Sequence, residues 1–182
     1  MTNIKSIYLH VPFCTNICNY CDFCKMYYND KFFELYYLKL LEEIKKYKVY
    51  LNNTFKTIYI GGGSPSSIGI NNLEKILKIL DLKKEDDYEY TVELMPLDIT
   101  EDLLKLLRKY GVNRVSIGVE TIIKKYQKLF NREIDKEVLT SKINLTKKYF
   151  NNINLDLMYA FKNQTIKELE DDINYILSFD TI

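Results

Sequence analysis

Tyr8-Leu9-His10-Val11-Pro12-Phe13-Cys14-Thr15-Asn16-Ile17-Cys18-Asn19-Tyr20-Cys21-Asp22-Phe23-Cys24 joins a β-rich run, Ser6–Val11, to a loop holding all four cysteines of the 182-residue chain. Thiols this close in sequence make a poor disulfide framework and read instead as metal ligands. A structural zinc site usually splits its ligands into two pairs on separate turns, and four thiols within eleven residues do not easily spread into that tetrahedron. An iron–sulfur cubane accepts crowded thiolates because the cluster itself supplies the spread. Two registers compete. Cys18, Cys21 and Cys24 match the C-x2-C-x2-C run of bacterial ferredoxins, which needs a distant fourth cysteine followed by proline, and this chain has none. Cys14, Cys18 and Cys21 read as C-x3-C-x2-C, which leaves one iron without a protein thiolate and open to a small molecule. Zinc stays the lesser alternative.

Outward from this loop, the β-rich runs Ser6–Val11, Thr57–Ile60, Tyr88–Leu94, Arg114–Val119 and Asn152–Tyr159 alternate with stretches of helical periodicity. Phe33, Tyr37, Leu40, Leu41 and Ile44 fall on one helical face, as do Leu103, Leu104, Leu107 and Tyr110 on another. Thr100 precedes Glu101 and Asp102 as an N-cap, and Gly111 follows Arg108 and Lys109 as a C-cap. Asn71 with Glu74, and Thr165 with Glu168, have the spacing of capping boxes. Five strand–helix repeats predict an α/β fold of parallel strands joined by right-handed crossovers, either a barrel or an open doubly wound sheet. In both, ligands bind at the carboxyl ends of the strands. The cysteine loop follows the first strand, Gly61-Gly62-Gly63 the second, and Glu93 closes the third.

The apolar fraction is 47% and the net charge +1, which gives no electrostatic footprint for nucleic acid or anionic membranes. Every apolar run is broken by charge, so no transmembrane span is expected. The N-terminus has neither a signal-peptide core nor the form of a transit peptide, and a cytoplasmic protein is expected.

The cysteine loop with its flanking Tyr8-x-His10-x-Pro12-Phe13-Cys14 resembles the radical S-adenosylmethionine (SAM) superfamily, and within it the family of oxygen-independent coproporphyrinogen III oxidases and heme chaperones. The resemblance implies a partial parallel (β/α)6-type barrel with about five βα units in this chain. It implies a [4Fe-4S] cluster on Cys14, Cys18 and Cys21, with SAM chelating the open iron and cleaved reductively to a 5′-deoxyadenosyl radical. Gly61-Gly62-Gly63-Ser64-Pro65-Ser66 is similar to the family's GGGTP loop, so Gly62, Gly63 and Ser64 are implied contacts to the methionine end of SAM. Glu93-Leu-Met-Pro96 resembles E-x-x-P, whose Glu binds the ribose or amino end. Glu120 stands where the family's fourth strand usually ends in Gln. Asn131-Arg132-Glu133 resembles N-R-E, whose arginine pairs with SAM's carboxylate, and Asp156 on the fifth strand is implied near the adenosine. A carboxylate inside that strand should have a partner. Tyr8 and Phe23 complete the implied SAM pocket. His10, the one histidine, reads first as a structural hydrogen bonder beside the cluster loop, and second as a substrate or heme contact.

Two features place the resemblance nearer the heme chaperones than the true oxidases. The cysteine loop begins 13 residues in, where the oxidase has a longer N-terminal arm, and Phe23 occupies the position of the oxidase's additional cysteine. Cys24 falls one residue later and matches neither pattern. Residues 1–182 read as an incomplete radical SAM core domain that lacks the sixth strand and the C-terminal domain. Implied partners are a tetrapyrrole substrate or heme and an electron donor such as flavodoxin or ferredoxin. A radical SAM enzyme, a heme chaperone and a simple iron–sulfur electron carrier are the three function classes left.

Overall fold

The computed structural model describes residues 4–180; residues 1–3 and 181–182, where the sixth strand is expected to begin, lie outside the described residues. Five strands form one parallel sheet: β1 (Ser6–Val11), β2 (Phe55–Gly62), β3 (Lys84–Leu94), β4 (Arg114–Glu120) and β5 (Asn152–Leu157). They lie side by side in chain order. A doubly wound sheet reverses its order at a switch point. Here nothing reverses, so crossovers of one hand place every helix on the same side, and the sheet is a partial barrel.

Side-chain alternation sorts the strands into two unlike faces. Val11, Ile58, Ile60, Tyr90, Val92, Leu94, Val115 and Ile117 are buried beneath the helices. The opposite, concave face is polar in successive rows. Tyr8, Tyr59, Thr91, Arg114 and Asn152 are in register across all five strands. The next row runs His10–Gly61 on β1 and β2, then Glu93–Ser116–Asn154 on β3 to β5. A closed parallel barrel fills this side with branched apolar residues; this one keeps it for polar chemistry.

Helix α1 (Asp30–Leu51) buries Phe33 and Leu40, while Tyr37, Leu41 and Ile44 are only half-buried. Helix α3 (Glu101–Lys109) buries Leu103, Leu104 and Leu107, and Thr100 caps it by accepting from the Leu103 N–H. Both carboxylate and hydroxyl of the Thr165–Glu168 capping box are in place at α6 (Ile166–Leu177). The Asn71–Glu74 box does not form. The chain leaves the 3-10 turn Pro65–Ile68 at Gly69, whose φ of 79° starts α2 (Ile70–Ile79) early. Asn71 is thereby drawn into the first turn, and Glu74 instead accepts from Lys109 at the end of α3 and from Tyr110 just after it. Between β4 and β5 the chain forms two helices, α4 (Lys124–Leu129) and α5 (Lys136–Lys147).

Tyr90 is fully buried on the helix side of β3, and its hydroxyl has no hydrogen-bond partner among the described residues. An unpaired buried hydroxyl costs about 1–3 kcal/mol. Tyr90→Phe is therefore expected to raise the stability by about 1 kcal/mol, read as a higher urea midpoint at unchanged slope.

Candidate cluster and cofactor site

At the carboxyl ends of the strands lies a cavity of about 400 Å³. It is lined by Cys14, Cys18, Cys21 and Phe23 from the cysteine loop, by Gly62, Gly63 and Ser64 after β2, and by Glu93, Glu120, Arg132 and Asp156. Eleven of the sequence-derived candidates thus meet in one place.

Several ties hold the cysteine loop there. Phe13–Cys14 and Met26–Tyr27 make a two-residue parallel bridge at its base. On its far side Asn131 donates to Asn16 Oδ1 at 2.9 Å, and Asn19 donates to the Leu129 carbonyl at 2.9 Å. His10 Nε2 lies 2.8 Å from the Cys24 carbonyl and so carries the proton it donates. Its Nδ1 is 2.9 Å from the Tyr8 hydroxyl. This is the structural hydrogen bonder the sequence suggests, binding β1 to the end of the loop. Lys25 Nζ donates to the Cys21 carbonyl.

All four cysteines are free thiols; Cys14 and Cys18 are buried, and Cys24 is exposed and does not line the cavity. A Cβ added to Gly63 would sit 2.6 Å from the Phe13 carbonyl and 3.0 Å from Cys14 Sγ, so only glycine lets β2's loop pass this close to the cysteines. Burial, together with the neighbouring Cys21 and Cys18, pushes the Cys14 thiol up to about 11, while Lys25 and Arg132 pull it down. Among the described residues no three His, Cys, Asp or Glu side chains converge on a point suited to a single ion. The three thiols share one cavity wall instead, beside two cations, a donor set suited to a thiolate-held iron–sulfur cluster.

The other walls are polar. Glu93 Oε1 accepts from Tyr59 Oη at 2.7 Å and Oε2 from the Gly62 N–H at 3.0 Å. Burial raises the Glu93 pKa, and these two bonds partly offset it. Glu120 is held at a φ of 65° beside an irregular pairing between Gly118 and Glu120. Bulges of this kind re-aim a side chain. Burial raises its pKa, and Arg132, at 3.5 Å, opposes the shift. Arg132 also donates to the Gly118 carbonyl at 2.6 Å and to the Tyr20 hydroxyl at 3.4 Å, and it lies 3.8 Å from Cys18 Sγ. Asp156 is exposed and has the partner a strand carboxylate calls for: it accepts from Ser116 Oγ at 3.0 Å and from Asn154 Nδ2.

Tyr8 stands apart. It is 56% exposed and lines a second groove, of about 520 Å³, between β1 and α1. Its ring lies 5.9 Å from that of Tyr59, which lines the cavity. Tyr20, Lys25, Tyr59 and Ser116 also line the cavity and were not singled out in the sequence. Period-2 alternation would have found Tyr59 and Ser116, which share a face with Gly61 and Glu93.

The fold, the three-thiol loop and the glycine loop define the class, and the family model of the radical SAM superfamily matches residues 8–176. The chain belongs to that superfamily, whose members use a [4Fe-4S] cluster and SAM. Among curated relatives, the heme chaperone HemW of Bacillus subtilis is 38% identical over 182 residues, covering 97% of this chain and 48% of the relative. HemW of Lactococcus lactis is 36% identical, covering 95% and 46%. The oxygen-independent coproporphyrinogen III oxidase of Escherichia coli is 30% identical, covering 88% and 36%. The solved structure of that Escherichia coli oxidase superposes with a TM-score of 0.84 at 27% identity, covering 96% of this chain and 41% of the other. The chain spans about half the length of the heme chaperones it matches or less. No helix among the described residues is long and apolar enough to cross a membrane.

Proposed function

We propose that this chain carries the cluster- and SAM-binding core of a heme chaperone of the radical SAM superfamily. The observation that carries the reading is the sorting of the cysteines: Cys14, Cys18 and Cys21 face the cavity while Cys24 does not. In this reading the three thiolates hold the cluster and leave one iron for SAM. The bound pair supplies one-electron chemistry. The protein's own part is binding and orientation. Glu93 and Ser64 accept from the amino end of SAM, and Gly62 and Gly63 give it room. Arg132 offers a planar fork suited to a carboxylate, steadied by Glu120. Asp156 accepts from the nucleoside, Phe23, 70% exposed at the cavity mouth, covers it, and Tyr8 supports Tyr59 from behind.

Heme, or a related tetrapyrrole, is the proposed cargo, and a flavodoxin or ferredoxin the proposed electron donor. The names of the two HemW relatives and the Phe23 position support the chaperone branch. The likeness to the Escherichia coli oxidase favours a second reading, decarboxylation of coproporphyrinogen propionates. The test is anaerobic reconstitution followed by EPR of the reduced cluster with and without SAM, then a heme titration. The chaperone reading expects a cubane signal that shifts with SAM, and heme uptake without substrate turnover. Coproporphyrinogen-dependent SAM consumption would transfer the assignment to the oxidase, and a cluster indifferent to SAM would sink both.

A further inference from the structure

The glycine loop after β2 looks like an anion cradle, because successive backbone N–H groups after a strand commonly form one. Its donors, however, are all committed. The Gly62 N–H is given to Glu93 Oε2 at 3.0 Å. The Gly63 N–H goes to the Val11 carbonyl at 2.9 Å and the Ser64 N–H to the Phe13 carbonyl at 2.7 Å. No donor of residues 62–64 is left for a ligand.

The hydroxyl of Ser64 is committed as well, through a chain that begins outside the cavity lining. Asp98 Oδ2 accepts from Ser66 Oγ at 2.7 Å and from Ser67 Oγ at 3.1 Å. A serine has one proton, so Ser66 has spent its own on Asp98. Its oxygen then accepts from the Met95 N–H at 3.0 Å. The remaining contact, Ser64 Oγ to Ser66 Oγ at 3.0 Å, must therefore have Ser64 as donor. With its proton fixed on Ser66, Ser64 can present only lone pairs to the cavity. Glu93, beside it, likewise accepts.

We infer that Asp98 and Ser66 are positioning residues that fix the Ser64 hydroxyl as an acceptor, so that the glycine loop selects a primary amino group, whose N–H bonds it accepts. This rests on the reading of the cavity as a SAM site and adds the residues that set its polarity there. Neither Asp98 nor Ser66 lines the cavity, so both act through Ser64.

The test measures SAM dissociation constants by calorimetry on reconstituted chain, with cluster content checked by absorbance and iron analysis. Ser66→Ala frees the Ser64 proton and is expected to weaken SAM binding about tenfold at unchanged cluster content. Ser64→Ala gives a similar loss, and the Ser64→Ala/Ser66→Ala pair is expected to lose no more than Ser64→Ala alone, because the two act as one unit. Decarboxylated SAM, which keeps the primary amino group, should show the same loss, whereas 5′-methylthioadenosine, which has none, should bind both forms equally. Unchanged SAM affinity in Ser66→Ala, additive losses in the double variant, or an equal loss for 5′-methylthioadenosine overturns the inference while leaving the SAM site standing. Absence of SAM binding by the unaltered chain overturns both.

Discussion

Cys14→Ala, Cys18→Ala and Cys21→Ala each abolish the cluster signal after anaerobic reconstitution, whereas Cys24→Ala keeps iron content and EPR spectrum close to those of the unaltered chain. The expectation follows from placement. Three thiols line the cavity together with Lys25 and Arg132, and the fourth lies outside that lining, its carbonyl held by His10. Cys24 also lies in the C-x2-C-x2-C register with Cys18 and Cys21, so the same set of variants decides between registers. A cluster that survives Cys14→Ala and is lost in Cys24→Ala would make the loop ferredoxin-like and remove the open iron.

Arg132→Met is expected to destabilise the chain by about 3–5 kcal/mol at pH 7, the usual cost of removing one partner of a buried pair. The side chains of Arg132 and Glu120 are only 17% and 14% exposed. Without the guanidinium, Glu120 faces Glu93 and Asp156, both of which disfavour its charge, and the Tyr20 hydroxyl, which favours it. Its pKa, already raised, climbs further. A carboxyl whose folded pKa lies above the unfolded one loses stability as pH rises between the two values. The deficit of Arg132→Met should therefore be largest near pH 7 and shrink toward pH 5, measured by denaturant unfolding at both. A deficit independent of pH would mean that Arg132 contributes through packing and its carbonyl contact, not through Glu120.

Strand positions were legible because alternation is a local signal: β1 matches its sequence reading and the other four strands differ by a few residues at their ends. β3 starts earlier than the reading, at Lys84, since the acidic Glu85-Asp86-Asp87 stretch continues the strand beyond most of its pairing with β2. The choice between barrel and doubly wound sheet was not legible in the periodicity, because it depends on which strands become neighbours; the resemblance to the radical SAM superfamily supplied the partial barrel. The cluster loop and glycine loop could be read because their chemistry depends on fixed spacing along the chain. Tyr20 and Lys25 could not be ranked that way, because they reach the cavity through the loop's path; Tyr59 and Ser116 share the face of Gly61 and Glu93 but belong to no motif of fixed spacing. Tyr8 lies in the same row as Tyr59 but on β1, the sheet's edge strand, and it lines the outer groove. The misplaced capping box has a similar cause: a single φ at Gly69 moved the helix start, and no sequence spacing registers that.

The two faces of the sheet divide the work of the molecule. Apolar burial, which drives folding, is concentrated on the helix side, while the rows from Tyr8 to Asn152 and from His10 to Asn154 contribute little of it. The domain therefore resembles a lined bowl whose wall and lining are made of different residues. Substitutions in these two rows of the sheet can redirect what the bowl holds with little loss of apolar burial, in contrast to the buried Arg132–Glu120 pair, where ligand contact and stability are joined. A shell of this kind can pass from one cargo to another through changes at a few inward positions, its helices untouched.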